Sequence, residues 1–261
     1  MDGTQFDFGK NWEKFLTVLN ETRISKAEES LKQMLQVDDL RGKSFLDIGS
    51  GSGLFSLAAR RLGARVHSFD YDSQSVACTA TLRRRLFHDD PHWQVEEGSV
   101  LDSAYLESLG KFDIVYAWGV LHHTGSMWQA LENVSMPVSE GGKLYIAIYN
   151  DQHWLSSYWK LVKVTYNKIA LARPVIIAVH LPYLFGIRFL VRALTGRLML
   201  DRGMSIWHDM IDWLGGYPYE VAKPHDIIQV CSEMGLSLVV SKTYSHKQGC
   251  NEFIFERVRL T

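Results

Sequence analysis

Cysteine is scarce, and nothing in its spacing suggests pairing. Cys78, Cys231 and Cys250 are three in 261 residues, an odd number without a C-x-x-C step. Neither a disulfide framework nor a zinc site is implied, and a reducing cytosol fits best. Excess charge is also lacking: 28 Lys and Arg stand against 29 Asp and Glu, a net charge of -1. No global field therefore calls for nucleic acid as a partner. No basic segment followed by an apolar one opens the sequence, so no secretory signal is read and a cytoplasmic location is expected. The apolar run Pro174 to Phe185 is 12 residues, short of the ~20 needed to span a bilayer. Between residues 152 and 200 there is no Asp or Glu at all.

The rest of the composition is that of a folded protein. Hydrophobic residues make up 46% and charged residues 22%, and the length suits one large α/β domain with an insertion. The densest information lies in Phe45-Leu46-Asp47-Ile48-Gly49-Ser50-Gly51-Ser52-Gly53-Leu54-Phe55. An apolar strand runs into an acid and three alternate glycines, then into a helix predicted over Leu54 to Leu62. Glycine lets the turn take φ > 0 and lets a ligand sit against bare main chain. The helix start aims N–H groups at the same place. A nucleoside cofactor is the first expectation.

The dinucleotide fingerprint G-x-G-x-x-G requires a glycine at position 54, where Leu54 stands. The chain instead reads D-x-G-x-G-x-G from Asp47. Arg65 to Phe69 reads as a second strand ending at Asp70, 21 residues beyond Gly49. An acid there accepts both ribose hydroxyls in dinucleotide folds, and Tyr71 follows it. A third strand around Trp93 to Glu96 leads into Gly98-Ser99-Val100-Leu101-Asp102. The fourth, Phe112 to Trp118, leads into Gly119-Val120-Leu121-His122-His123. Gly141-Gly142 reads as a turn before a fifth strand, Lys143 to Tyr149. This set, in this order, resembles the class I methyltransferases that use S-adenosylmethionine (SAM). The resemblance implies a Rossmann-like, doubly wound α/β fold: a seven-stranded sheet, mostly parallel, whose last strand is antiparallel, with a helical cap inserted. It implies a SAM site built from Asp47, Gly49, Ser50, Gly51, Gly53, Asp70, Tyr71 and Trp118. At its adenine end, the Ser99 hydroxyl and the Val100 backbone are expected to read the base. The product would be S-adenosylhomocysteine, and no metal is needed.

Organisation follows from periodicity. Residues 1–40 read as an N-terminal helical cover, 41–150 as the SAM-binding core, 151–215 as the cap and 216–261 as completion of the sheet. Phe6 to Val37 is expected to be helical, with Leu31, Met34 and Leu35 at helical spacing. Phe8 and Trp12 either close over the cofactor or pack on the sheet edge. Strand and helix alternate from Phe45 to Asn150, which specifies a parallel sheet with right-handed crossovers. Leu236 to Lys242 and Phe253 to Val258 read as a closing hairpin around a polar loop, Thr243 to Asn251. In the cap, Lys160, Lys163, Lys168, Arg173, Arg188, Arg192 and Arg197 are interleaved with aromatic residues. Two readings stand: a helical cap with solvated cations, or a surface that meets a membrane or an anionic acceptor.

The acceptor side is read from Arg202 to Glu220. His208 and Asp212 are i and i+4 and share a face if the segment is helical. Gly215-Gly216 and Pro218 then turn the chain to present Tyr217, Tyr219 and Glu220. This segment, Phe8 to Trp12 and Gly249 to Phe253 resemble a group of bacterial small-molecule methyltransferases loosely labelled as quinone-type. Methyl transfer to an oxygen usually requires removal of its proton, a task suited to histidine. His208 oriented by Asp212 is the first candidate base and His122 the second. Trp207, His123, Tyr217, Tyr219 and Glu220 are the candidate acceptor-binding residues. His122 and His123 without a further ligand make a poor metal site. The expected acceptor is a small molecule, with a lipid or quinone and a non-catalytic SAM-binding module as alternatives. No N/D-P-P-Y/F tetrapeptide follows the fourth strand, so methylation of nucleic acid bases is not expected.

Overall fold

The computed structural model describes Trp12, Leu16, Thr17 and residues 19–88, 90–187, 190, 206–244 and 249–259. Phe8 and the loop residues 245–248 lie outside this set. Side chains of residues 206–209 and of Asp212 are likewise not described.

The first described helix, α1 (Glu21–Leu35), begins at Asn20, whose side chain accepts the Arg23 N–H. It buries Ala27, Leu31 and Leu35 and lies beside α2 (Leu54–Arg61). Arg61 anchors that contact, 2.6 Å from Glu21 and 2.8 Å from Glu28. Between them runs β1 (Ser44–Ile48). Its Phe45, Leu46 and Ile48 are buried, the near-continuous apolar run of a strand covered on both faces. Then follow β2 (Arg65–Asp70), α3 (Ser73–Phe87), β3 (Trp93–Glu97), α4 (Ser103–Ser108) and β4 (Phe112–Trp118). Asp72 and Asp102 accept N–H bonds in the first turns of α3 and α4, so each helix starts where a side chain satisfies its free donors. After β4 come a 3-10 turn (Leu121–His123), α5 (Met127–Ser135) and β5 (Val138–Tyr149).

The seven strands form one sheet in the order β3-β2-β1-β4-β5-β7-β6. β1 pairs in parallel with β2 on one side and β4 on the other. The strand order therefore reverses at β1, and the crevice for a ligand opens beyond the carboxyl ends of these strands. β7 (Cys250–Arg257) inserts antiparallel between β5 and β6 (Leu236–Lys242), as expected for this fold. α9 (Pro224–Glu233) leads into that closing hairpin.

Two boundaries differ from the sequence reading. Gly141-Gly142 does not separate two elements; β5 begins at Val138 and carries a register shift between Phe112 and Ile114 of its neighbour. Gly141 has φ 69, so it can form the bulge without leaving the strand. β7 starts at Cys250 instead of Phe253. Its polar Asn251 stays in the sheet because Asn251 donates to Asn150 at 3.0 Å and accepts the Tyr244 N–H at 2.9 Å.

The cap follows β5 as α6 (Trp154–Lys168) and α7 (Arg173–Leu181), continued by a π turn (Pro182–Ile187), and α8 (Ile206–Gly215). Trp159, Val162 and Tyr166 of α6 pack with Leu184, Met210, Leu214 and Tyr219 into an apolar cluster separate from the two that flank the sheet.

Candidate active site

The glycine turn is held from three sides. The Phe69 carbonyl accepts the N–H groups of Gly49 and Ser50 at 2.8 and 3.1 Å. Asp70 accepts the Gly51 N–H at 2.9 Å and the Asp72 N–H at 3.0 Å. Ser50 Oγ lies 3.0 Å from Thr79 Oγ1 on α3. The turn excludes side chains at its glycines. Gly49 has φ 70, and a Cβ there would stand 2.5 Å from Val120. Gly51 has φ 54, and its Cβ would meet the Trp12 indole at 2.9 Å. Trp12 thus lies directly on the glycine turn. Gly53, which has no side chain to cap with, precedes α2, and the start of that helix carries partial positive charge toward the turn.

Asp47 lies two residues before Gly49, near the end of β1. It is 2% exposed, and its carboxylate accepts the Ser56 hydroxyl, which lies 2.7 Å from Ser68. The Trp93 indole donates to Ser68 at 2.9 Å. The motif acid therefore pins α2 to β1 and β2 and fixes the shape of the turn. Asp70 is the acid at the cradle itself. Burial outweighs its N–H bonds and pushes its carboxyl up to about 6. Tyr71 beside it is exposed. At the third strand end, Ser99 Oγ accepts the Leu101 N–H at 3.2 Å, and the Val100 carbonyl accepts the Asn133 amide at 2.9 Å. Trp118, half-buried, closes β4.

Across β4 the two histidines are built into the protein. His122 is fully buried; its Nδ1 accepts the Tyr149 N–H at 3.3 Å, and its ring lies 3.8 Å from the Tyr149 ring. Burial, then His123 and Lys163, hold its pKa well below the ordinary histidine range. His123 Nδ1 lies 2.6 Å from the Pro218 carbonyl and donates to it. Burial, with Lys163, takes His123 down to about 3. Both rings are neutral near pH 7. A base must take up a proton, and His122 sits where a positive charge is strongly opposed.

Glu220 is also engaged. Its carboxylate accepts the Met127 N–H at 3.1 and 3.3 Å, and its own N–H reaches the His122 carbonyl at 3.0 Å. Tyr219 is buried, which raises its hydroxyl pKa. Tyr219 and Glu220 line a cleft of about 340 Å³ together with Met127, Trp128, Asp151 and Ser156. No residue of the glycine turn lines it. Tyr217 is half-buried. Trp207, His208 and Asp212 fall on α8, which places His208 and Asp212 one turn apart. Their side chains are outside the described residues.

Lys163 is the group that sequence reading passed over. It was one of seven cap cations, yet it is fully buried. It donates to the Trp213 carbonyl and lies 4.6, 4.9 and 5.8 Å from the rings of Trp213, Tyr219 and Tyr149. The signal was its place among Trp159, Val162 and Tyr166, a lysine inside an apolar helical stripe. Among the described residues, no group of three or more His, Cys, Asp or Glu is placed to hold a metal.

Residues 46–144 match the family model described as methyltransferase domain. A ubiquinone biosynthesis O-methyltransferase of Coxiella burnetii is 26% identical over 137 residues, 52% of this chain and 53% of that protein. One from Xanthomonas oryzae is 31% identical over 138 residues, 53% of each chain. The chain thus spans about half the length of the curated relatives it matches. Among solved structures, the magnesium protoporphyrin IX methyltransferase of Synechocystis with bound SAH aligns over 92% of this chain and 88% of its own. The TM-score is 0.55 at 13% identity. The 1,6-didemethyltoxoflavin-N1-methyltransferase of Burkholderia thailandensis aligns over 92% and 80%, with TM-score 0.53 and 12% identity. At such identities these likenesses describe the fold.

Proposed function

We infer, from a chain whose residues 46–144 form a class I SAM-dependent methyltransferase domain, that the protein transfers a methyl group from SAM to a small-molecule acceptor, at oxygen. The observation that carries this reading is the cradle of Gly49, Gly51 and Gly53. Asp70 is fixed to the Gly51 N–H at its rim and Trp12 lies against its floor.

When bound, SAM supplies a methyl carbon on a cationic sulfur, open to in-line displacement without metal or covalent enzyme intermediate. The protein's part is to hold the partners in line, and such positioning contributes up to ~7–11 kcal/mol. Asp70 would take the ribose hydroxyls, Tyr71 would flank them, and Ser99 and Val100 would meet the adenine. Trp118 and Trp12 would close the methionine side. His208, oriented by Asp212, would remove the acceptor proton. The neutral pair His122 and His123 serves better as a wall than as a base, since burial disfavours its protonated form. Trp207, Tyr217 and Tyr219 would contact the acceptor. Oxygen is favoured because relatives covering half the chain are named O-methyltransferases. Their name, ubiquinone biosynthesis, also supports a second reading in which the acceptor is a quinone or lipid.

The test is transfer from methyl-labelled SAM into cell extract separated into organic, small aqueous and macromolecular fractions. Label in the organic fraction favours the quinone or lipid acceptor, and label in the aqueous fraction favours a polar metabolite. SAM binding without label in any fraction would leave a binding module. Asp70→Ala is expected to weaken SAM binding by about 1.5–3 kcal/mol in calorimetry, the scale for bonds to a charged group. His208→Ala is expected to slow turnover about 10²–10⁴-fold with SAM affinity retained. Normal turnover would move the base elsewhere.

A further inference from the structure

We propose that the outer face of α6 and α7 is a docking surface for an anionic lipid bilayer. The observation is independent of methyl transfer. On α6, Trp154 (77% exposed), Tyr158 and Leu161 (66%) recur at steps of four and three and form one stripe. At the elbow, Ile169 and Leu171 are exposed, Leu171 by 88%. On α7 and the turn after it, Val175, Val179 (66%) and Tyr183 recur every four residues, and Leu190 follows. Large apolar side chains concentrated in this way mark a contact surface.

The face is uncovered but not loose. The opposite side of α6 is packed into the cap cluster through Trp159, Val162 and Tyr166. The Tyr158 hydroxyl lies 2.8 Å from His180 Nε2, and His180 Nδ1 lies 2.7 Å from the Ile176 carbonyl, which locks the two helices together. Arg173 donates to the Tyr166 carbonyl at 2.9 Å and fixes the elbow.

Charge selects the occupant. Lys168 and Arg173 are exposed beside the stripe, and residues 152–200 hold seven Lys and Arg, of which Lys163 is buried, with no Asp or Glu. A second copy of the chain joined through this face would bring cation against cation. Anionic headgroups complement it, and tryptophan and tyrosine suit the boundary between headgroup and acyl chain. The contact is peripheral. Among the described residues no single helix is long and apolar enough to cross a membrane, and the α6–α7 pair turns by 116° at its break. α6 cannot enter the hydrocarbon without giving up its packed inner face.

The experiment is flotation of the full chain with vesicles of phosphatidylcholine alone or mixed equally with phosphatidylglycerol. It is repeated for Leu171→Ser/Val179→Ser and for Lys168→Glu. All three positions are exposed, and unchanged melting and SAM affinity identify variants that keep the fold. The chain is expected to float with the anionic vesicles and to be released by salt. Each variant is expected to bind several-fold to about tenfold more weakly, as interfacial binding scales with apolar area and charge. Absence of flotation with anionic vesicles overturns the proposal. So does equal binding by folded variants, or a concentration-dependent dimer that the serine variant abolishes. Loss of SAM binding with flotation intact would sink the enzymatic reading and leave the docking surface standing.

Discussion

Asp70 has to be an ionised acceptor in a place that resists ionisation. Its backbone donors favour the carboxylate, and burial overrides them, leaving a pKa of about 6 against 3.8 when unperturbed. A ribose donates to the ionised form, so SAM affinity should rise with pH through about 6. At pH 5 only about a tenth of the site is ionised, which predicts about tenfold weaker binding than at pH 7.5. Calorimetry across this range checks it, and Asp70→Asn should flatten the profile. A flat wild-type profile would remove Asp70 from the ribose. For stability the sign is the reverse. Between pH 3.8 and about 6 the folded chain keeps a proton that the unfolded chain has lost, so this group alone destabilises the fold as pH rises through that window. The position of Asp70 was legible from its distance to the glycines. Its elevated pKa was not, because burial is a property of the assembled turn.

Elements were easier to read than the uses of their side chains. The strands from Phe45 to Tyr149 and the closing hairpin follow from apolar runs between glycines, and these runs hold their positions because both faces of the sheet are covered. The roles around α5 depended on tertiary contact and left no local signal. Ser126 precedes α5 without a side-chain cap bond, and Glu220, 93 residues away, accepts the Met127 N–H instead. A carboxylate at a helix start satisfies a free donor and complements the dipole. Glu220→Ala should therefore lower stability by about 1 kcal/mol, and Glu220→Gln by less. Denaturant unfolding measures both. A variant with unchanged stability and a weakened acceptor KM would return Glu220 to the acceptor. Asp47 teaches the same lesson, since its motif position was clear but its partner Ser56, and the Ser68 that Ser56 meets, come together only when α2 packs on β2.

At the scale of the molecule, core and cap meet through packed rings around the buried Lys163. His122 and His123 leave β4, Tyr149 ends β5, Pro218 and Tyr219 belong to the loop after α8, and Lys163 comes from α6. Both histidines are held neutral by burial and by Lys163, His123 down to about 3. Unfolded, each titrates near 6.5. Below that pH the unfolded chain takes protons that the folded chain refuses, so stability present above pH 6.5 is lost as pH falls. From pH 7.5 to pH 5 the loss from His123 is about 2 kcal/mol, and His122 adds to it in the same direction. Asp70 works in the opposite sense over part of the range, and the pair of histidines exceeds it. Urea unfolding at the two pH values should show the fall, and His123→Gln should remove about 2 kcal/mol of it, since glutamine keeps a donor for Pro218 and cannot titrate. Lys163→Met should raise the His123 pKa without restoring it to 6.5, because burial is the larger cause. If stability did not change with acid, the rings would have to accept protons in the folded state. The joint between core and cap would then be open to water, and His122 would return as a candidate base.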